Sequence, residues 1–476
     1  MIIGRDREIK VLRNAIDGDS SEFIAIYGRR RIGKTYLVRE VCGDNLSFAH
    51  TGVANAPRTE QLARFASSLK KHGFSFRRKP RNWFDAFDIL EAGLAALPTR
   101  RKIVFIDELP WMDSPKSNFV SALEAFWNGW ASARKDVVLV VCGSATSWII
   151  GKIIDSHGGL HNRITHSIKL EPFTLAECEL FAKAKGIVAT RMHILEYYMA
   201  MGGVAYYWNF LEKGKSPAQN IQSIFFAANG ELRKEYGHLY ASLFRKPKTH
   251  IAVVEALGTK KAGMTRTEIV KAAALSDNGE LSVALGELAE CGFIRRYCLP
   301  GRKSHDSVYQ LVDNFTLFHF RFLAELDEGE EGSWPDLQGT PRANVWRGLS
   351  FERVCLLHAP QIKCALGISG IRTRLYAWRS RRDADIAGEK NGAQIDLIVE
   401  RADDAVNICE MKYSAGEYEI GKEEHRKIMN RRERFLSETG FRGAAYLTYV
   451  TTSGLANNAY RNDVQSEITL DDLFKE

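Results

Sequence analysis

A chain of 476 residues is too long for a single core, so two to four domains are expected. Hydrophobic residues make up 45% and charged residues 26%, the balance of an ordinary folded protein, which excludes long disordered tracts and membrane-embedded bundles. The net charge of +8 permits contact with nucleic acid without demanding it.

The eight cysteines contain no C-x-x-C pair and no regular spacing, so neither a zinc site nor a disulfide framework is expected. Cys42, Cys142 and Cys409 sit in apolar surroundings and read as buried thiols in a reducing cytosol. The start, MIIGRDREIK, carries charge from residue 5 and has no apolar core, so no signal peptide is expected. No run reaches the apolar length of a membrane helix, and a cytoplasmic location without a membrane partner follows as the expectation.

Glu8 to Ile16 has Ile9, Val11, Leu12 and Ile16 at helical spacing. Phe23 to Tyr27 then reads as a strand, entering the spacing Gly28-x-x-x-x-Gly33-Lys34-Thr35. That is a P-loop pattern: glycines let backbone N–H groups wrap phosphates, the lysine reaches the β- and γ-phosphates, and the threonine hydroxyl holds Mg²⁺. Arg29, Arg30 and Arg31 add positive potential, and Ile32 completes the phosphate-wrapping stretch. A short strand is expected at Leu46 to His50, and amphipathic helices at Thr59 to Leu69 and Trp83 to Leu97.

Lys102 to Glu108, KIVFIDE, is an apolar strand ending in two acids, as suits a parallel strand buried on both faces. Asp107 at its carboxyl end would hold Mg²⁺ through water, and Glu108 would polarise the attacking water or form an ion pair. A third buried strand, Asp136 to Cys142, runs into Gly143-Ser144-Ala145-Thr146. Ser144 or Thr146 would sense the γ-phosphate, or serve as a helix N-cap. Arg163, in a glycine-bearing loop, is either an arginine finger, in cis or in trans, or a surface arginine. Leu175 to Met201 reads as helical and ends at Gly202-Gly203, outlining a lid.

Gly4-Arg5, GRRRIGKT, the strand ending in Asp107-Glu108, the GSATSW turn and Gly202-Gly203 together resemble the archaeal-type ATPases, a branch of the AAA+/STAND-like P-loop proteins. The resemblance covers about residues 1–225 and implies ATP as the nucleotide, with Gly4 and Arg5 near the adenine. Ala205 stands where such chains often carry proline, which touches only lid geometry.

Between Lys246 and Leu311 come three short helices, at Ile251 to Leu257, Thr265 to Ala274 and Ser276 to Cys291, and a hairpin from Gly292 to Leu311. This is a winged helix-turn-helix outline. Arg295, Arg296, Arg302 and Lys303 would suit phosphate contacts, but the third helix carries Asp277, Glu280, Glu287 and Glu290, which favours a protein–protein spacer. Phe315 to Phe322 reads as a packing helix, and residues 327–332, acidic and glycine-bearing, as a boundary.

In the last segment a helix, Trp346 to Leu357, carries Glu352, and strands follow at Arg372 to Trp378, Ile395 to Glu400 and Ala405 to Lys412. Alternation places Glu410 with Lys412, and Gln394 with Asp396. Carboxylates from adjacent strands can ligate Mg²⁺ while the lysine orients a water, and Glu352 would complete the shell. The pattern resembles the PD-(D/E)XK nucleases, with Asp396, Glu410 and Lys412 on the motif positions and Ile395 where proline often stands. Arg372, Arg374, Arg379, Arg381 and Arg382 would follow a nucleic-acid backbone. A charged helix, Lys422 to Arg434, a last strand, Gly443 to Tyr449, and a short terminal helix capped by Thr469 complete the chain.

The expected architecture is α/β throughout: a P-loop core at 1–170, a helical lid at 171–245, a winged helix at 246–325 and a nuclease-like domain at 340–476. The expected activity is ATP hydrolysis with Mg²⁺, coupled to a metal-dependent nuclease-like domain acting on nucleic acid, DNA before RNA. The alternative is a switch whose last domain only binds nucleic acid or a protein partner. A homo-oligomer is left open.

Overall fold

In the computed structural model, residues 2–155, 158–244, 246–298, 307–326, 332–380 and 393–475 are described. The chain divides into two compact units, Met1–Pro172 and Phe173–Glu476.

The first unit is built on five strands: β1 (Glu22–Tyr27), β2 (Leu46–Thr51), β3 (Lys102–Asp107), β4 (Val137–Gly143) and β5 (His166–Lys169). All pairings are parallel, in the order β2-β3-β4-β1-β5. Every residue of β3 and β4 is buried, which is why both read as unbroken apolar runs. Side chains alternate between two layers. Ile24, Ile26, Ile103, Phe105, Val138 and Val140 pack with Leu12, Leu37 and Val38 of the helices Asp6–Asp17 and Lys34–Cys42. Phe23, Ala25, Val104, Ile106, Leu139 and Val141 pack with Phe65, Trp83, Leu90 and Phe119 of the helices Arg58–Lys71, Trp83–Ala96 and Phe119–Gly129.

The helices expected as a lid share the core of the second unit. The helices Leu175–Ala184 and Arg191–Met201 share one core with residues as distant as Phe351 and Phe474. The cause is aromatic: Tyr207 packs on Phe315 with ring centroids 5.2 Å apart, and Tyr198 on His358 at 5.4 Å. Three helices, Pro247–Gly258, Arg266–Ala272 and Gly279–Glu290, accompany β6 (Met264–Thr265), β7 (Ile294–Tyr297) and β8 (Val308–Leu311), a sheet of order β6-β8-β7. Thr265 caps the middle helix in a reciprocal box with Glu268. The wing tip with Arg302 and Lys303 lies outside the described residues, as do Arg381, Arg382 and most of the acidic boundary.

A second five-stranded sheet has the order β13-β12-β11-β10-β9, from β9 (Thr373–Arg379), β10 (Gln394–Arg401), β11 (Ala405–Lys412), β12 (Ala444–Thr451) and β13 (Ser466–Ile468). The strand expected to be last, β12, is followed by β13, which pairs parallel to it. The β10–β11 hairpin is antiparallel, and the helix Lys422–Thr439 carries the chain across to the parallel β12. Helix Pro341–Leu357 contributes Phe351, Val354 and Cys355 to the core holding Leu397, Val399, Cys409 and Met411. Phe435 packs instead with Ile398, Val406 and Ile408.

Candidate functional site

β1 delivers the chain to Gly28 at the carboxyl edge of the first sheet. Gly28 has φ 141°, and a Cβ there would run into the Leu170 carbonyl, so no other residue fits. Ile32 is buried in the core and pins the loop, Arg29 is buried, Arg31 takes a left-handed φ of 70°, and Arg30 is exposed. At Gly33, φ 97°, the loop enters the helix Lys34–Cys42. Lys34 Nζ donates to the carbonyl oxygens of Gly28 (2.8 Å) and Arg29 (2.9 Å) and to Ser144 Oγ (3.0 Å).

The strand order explains what meets there. β4 lies between β1 and β3, so Ser144 at its tip stands between the P-loop and the acidic end of β3. Ser144 Oγ donates to Glu108 Oε1 at 2.8 Å while accepting from Lys34. Thr146, the other candidate, is buried in the next helical turn. On the other side of the loop, Thr35 Oγ1 donates to Asp107 Oδ2 at 2.7 Å, and the Glu108 N–H to Asp107 Oδ1 at 2.9 Å. Burial pushes the Asp107 carboxyl above its usual range, with Thr35 pulling the other way. Glu108 has φ 48°, a strained backbone for a non-glycine residue at the end of a strand. Replacing Ser144 with alanine is expected to lower ATP turnover about tenfold while ATP affinity changes less, because one hydrogen bond to each of Lys34 and Glu108 is lost. Steady-state hydrolysis and nucleotide titration check this.

Gly4, φ 63°, and Arg5, φ 68°, turn the chain into its first helix, and Arg5 Nη2 donates to the Glu171 carbonyl at 2.7 Å, just past β5. A brace the sequence did not announce is Gln61, fully buried, whose amide donates to the carbonyls of Val53 (2.6 Å) and Trp111 (3.1 Å). The Gly52 N–H donates to the Asp107 carbonyl at 2.9 Å, so the β2 loop fixes the acidic turn. A glutamine in an amphipathic helix carries no signal of such a role.

Arg163 is not at this edge. The Thr165 N–H donates to the Phe23 carbonyl and His166 pairs with Ile24, so the Arg163 loop lies at the amino end of β1. Five residues of strand, about 16 Å, separate that end from Gly28. A finger acting in cis is therefore excluded by the parallel register, and the exposed arginine can serve only in trans or as surface.

The four nuclease-like residues fall into two ion-pair clusters. Asp396 accepts from Gln394 Nε2 at 2.6 Å, as alternation predicts, and lies 3.5 Å from Lys261 Nζ. Lys261 is also 2.8 Å from Glu352 Oε1. Burial and the nearby Asp396 push the Glu352 carboxyl up to about 7. Glu410 and Lys412 follow Val406 and Ile408 on the face of the helix Lys422–Thr439. Lys412 Nζ lies 2.9 Å from Glu410 and 2.8 Å from Glu424, and Arg431 is 3.7 Å from Glu410. The expected ligand set of Glu352, Asp396 and Glu410 is thus not assembled. Among the described residues no three His, Cys, Asp or Glu side chains converge as metal ligands. The physical reason is Lys261, which inserts an ammonium between two of the three acids, together with an irregular pairing of β10 with β9 between Ile395 and Ile398. Of the basic residues, Arg295 is drawn inward to Gln310 and the Asp396 carbonyl, and Arg374 pairs with Glu400. Arg372 and Arg379 are exposed.

Residues 2–207 match the family described as an ATPase domain predominantly from Archaea. The match supports a P-loop ATPase fold and ATP binding over these residues. An uncharacterized protein of Methanocaldococcus jannaschii, MJECL04, is 27% identical over 359 residues, 74% of this chain and 76% of its own length, so the likeness extends past the ATPase domain. Among solved structures, the Walker-type ATPase PABY2304 of Pyrococcus abyssi superposes with a TM-score of 0.50 at 15% identity, covering 67% of this chain and 96% of that one, a likeness of fold. The ORC2 protein of Aeropyrum pernix gives 0.41 at 14% identity, over 67% of this chain and 93% of that one. No helix among the described residues is long and apolar enough to cross a membrane.

Proposed function

We propose that the chain is an ATP-hydrolysing switch whose second unit binds nucleic acid or a protein partner without cleaving it. The observation that carries the first half is the convergence of Lys34, Ser144 and Glu108 on one side of the P-loop and Thr35 with Asp107 on the other. A buried carboxylate beside a threonine hydroxyl fits a divalent cation: Thr35 and Asp107 would hold Mg²⁺, Asp107 through water. Bound there, Mg²⁺ would neutralise charge on the β- and γ-phosphate oxygens. Lys34 binds those phosphates, Glu108 takes the proton of the attacking water, and Ser144 couples the two.

The second half rests on the occupied charges of the nuclease-like strands, where Lys261 and Lys412 each bridge two carboxylates. Exposed Arg372 and Arg379 support nucleic acid, DNA before RNA, as the partner, and the helices around β6 to β8 read as a winged helix. Cleavage gated by nucleotide is the competing reading. What favours it is the hairpin register, which pairs Leu397 with Cys409 and, continued one step, sets Asp396 opposite Glu410.

Incubating plasmid and single-stranded DNA with the protein, Mg²⁺ or Mn²⁺, and ATP separates the two. Hydrolysis lost in Lys34→Ala, with DNA intact throughout and bound in a salt-dependent way, is the expected result. Cleavage lost in Lys412→Ala would overturn the binding-only reading.

A further inference from the structure

The second unit holds a cavity of about 290 Å³, bounded by the end of helix Pro247–Gly258 and by one face of helix Pro341–Leu357. Four of its walls present buried polar nitrogen or oxygen atoms with no protein partner: Arg321 Nε, Trp346 Nε1, Ser350 Oγ, and Arg353 Nε and Nη1. Trp346, Ser350 and Arg353 follow one another at four and three residues along the helix, so they share a face. The nitrogens can only donate, and the hydroxyl can donate. Arg353 is 3% exposed, and its Nη2 is fixed at 2.8 Å on the Lys261 carbonyl, which leaves the other two nitrogens free for the cavity.

The charges point the same way. No acidic side chain lines the cavity among the described residues, whereas Lys260, Lys261, Arg321 and Arg353 do. Behind it, three cations, Lys261, Arg295 and Arg353, face two carboxylates, Glu352 and Asp396. That cluster is one negative charge short, and a buried guanidinium with unmet donors is costly. Leu257, Leu317, Phe320 and Leu349 supply apolar wall, and exposed Gly258 and Thr259 form the rim.

We propose that this cavity binds a small anion, a phosphate or carboxylate group, with Arg353 as its charge partner and Trp346 Nε1 and Ser350 Oγ as orienting donors. The volume takes such a group with some of the molecule bearing it, and is near the lower end of small-molecule sites. The site lies in the second unit and does not depend on the ATPase reading.

The test uses the full chain saturated with ADP, which fills the α- and β-phosphate positions of the P-loop, and repeats in Lys34→Ala, which removes the cation that would hold inorganic phosphate at the open γ-phosphate position. Inorganic phosphate and acetate are titrated separately against chloride of equal ionic strength, and the melting temperature is read. A saturable rise of about 3 °C or more with one of the anions is expected, and which anion acts assigns phosphate or carboxylate. Trp346→Phe and Ser350→Ala, which keep the packing and remove one donor each, are expected to weaken the apparent affinity about tenfold. Arg353→Lys should abolish the response, and the two milder variants decide the matter if it fails to fold. No saturable rise with either anion, or an equal rise in Trp346→Phe and Ser350→Ala, would overturn the proposal and leave ordered water as the cavity's content.

Discussion

Replacing Glu108 with glutamine is expected to leave ATP bound at near wild-type affinity and to slow its hydrolysis at least a hundredfold. Glutamine has nearly the same shape and keeps an amide oxygen to accept from Ser144, which now donates to Glu108 Oε1 at 2.8 Å. What it loses is the ability to take a proton, and a positioned general base contributes about 10²–10⁴ in rate. The strained backbone at Glu108 supports this, since a left-handed turn at a strand end costs about 1–3 kcal/mol and aims the carboxylate at the P-loop edge. Lys34→Ala gives the contrast: its hydrogen bonds to Gly28, Arg29 and Ser144 close the loop, so affinity itself should fall. Equilibrium binding of a fluorescent ATP analogue and phosphate release, measured side by side, separate the two effects. Wild-type turnover in the glutamine variant would reduce Glu108 to an anchor for Ser144.

Why this part of the chain could be read so far from its residues is local. The P-loop, its strand and its helix are contiguous, and both acids stand at the end of an unbroken apolar run. The sheet order then does the rest, because β4 between β1 and β3 brings Ser144 to Lys34 and Glu108 without any further information. The position of Arg163, away from the P-loop, has a cause that no spacing reveals: it precedes β5, so parallel pairing sends it to the far edge. Gln61 was invisible because its partners are main-chain atoms, one in the preceding loop at Val53 and one fifty residues on at Trp111.

The second unit was legible in its strands and less so in its chemistry. Alternation along β11 placed Glu410 and Lys412 together, and the reciprocal box at Thr469 and Asp472 sits where a cap was expected. Lys261, however, comes from the segment after the helix Pro247–Gly258, more than 90 residues before Glu352 and Asp396 in sequence. Nothing in a lysine following another lysine announces that it will stand between two carboxylates. The core that the expected lid helices share with later segments was hidden for a related reason, since the burial of Tyr198, Tyr207 and Trp208 against later aromatics is a tertiary fact, while helical periodicity reports only that some face is buried.

The second unit is expected to lose about 3 kcal/mol of stability through one side chain, His358, as pH falls from 6.5 to about 4. The ring is 1% exposed and its tautomer is fixed by its neighbours. Nδ1 donates to the Val354 carbonyl at 2.8 Å, so Nε2 carries the lone pair that accepts from the Leu175 N–H at 3.0 Å. Protonation would put an N–H against an N–H at the start of the helix Leu175–Ala184 and bury a charge besides. Burial accordingly lowers the pKa from 6.5 to about 4, with the Val354 bond pulling slightly upward. A group depressed in the folded state contributes stability above the unfolded pKa and loses it as pH falls through the folded one, which gives the window from 6.5 down to about 4. His319 is lowered to about 4 as well, and Glu352 is raised to about 7 and works in the opposite sense, so the bare acid profile of the protein mixes several slopes. The difference between wild type and His358→Gln cancels them. Glutamine does not titrate and offers an acceptor towards Leu175. The variant should be about 1 kcal/mol less stable at pH 7, for the lost bond to Val354, and should overtake the wild type at about pH 5.7, where protonation linkage has cost the wild type about the same amount. Melting temperatures of both proteins from pH 7.5 to 4 would show the two curves crossing, and parallel curves would mean that His358 does not carry the acid lability.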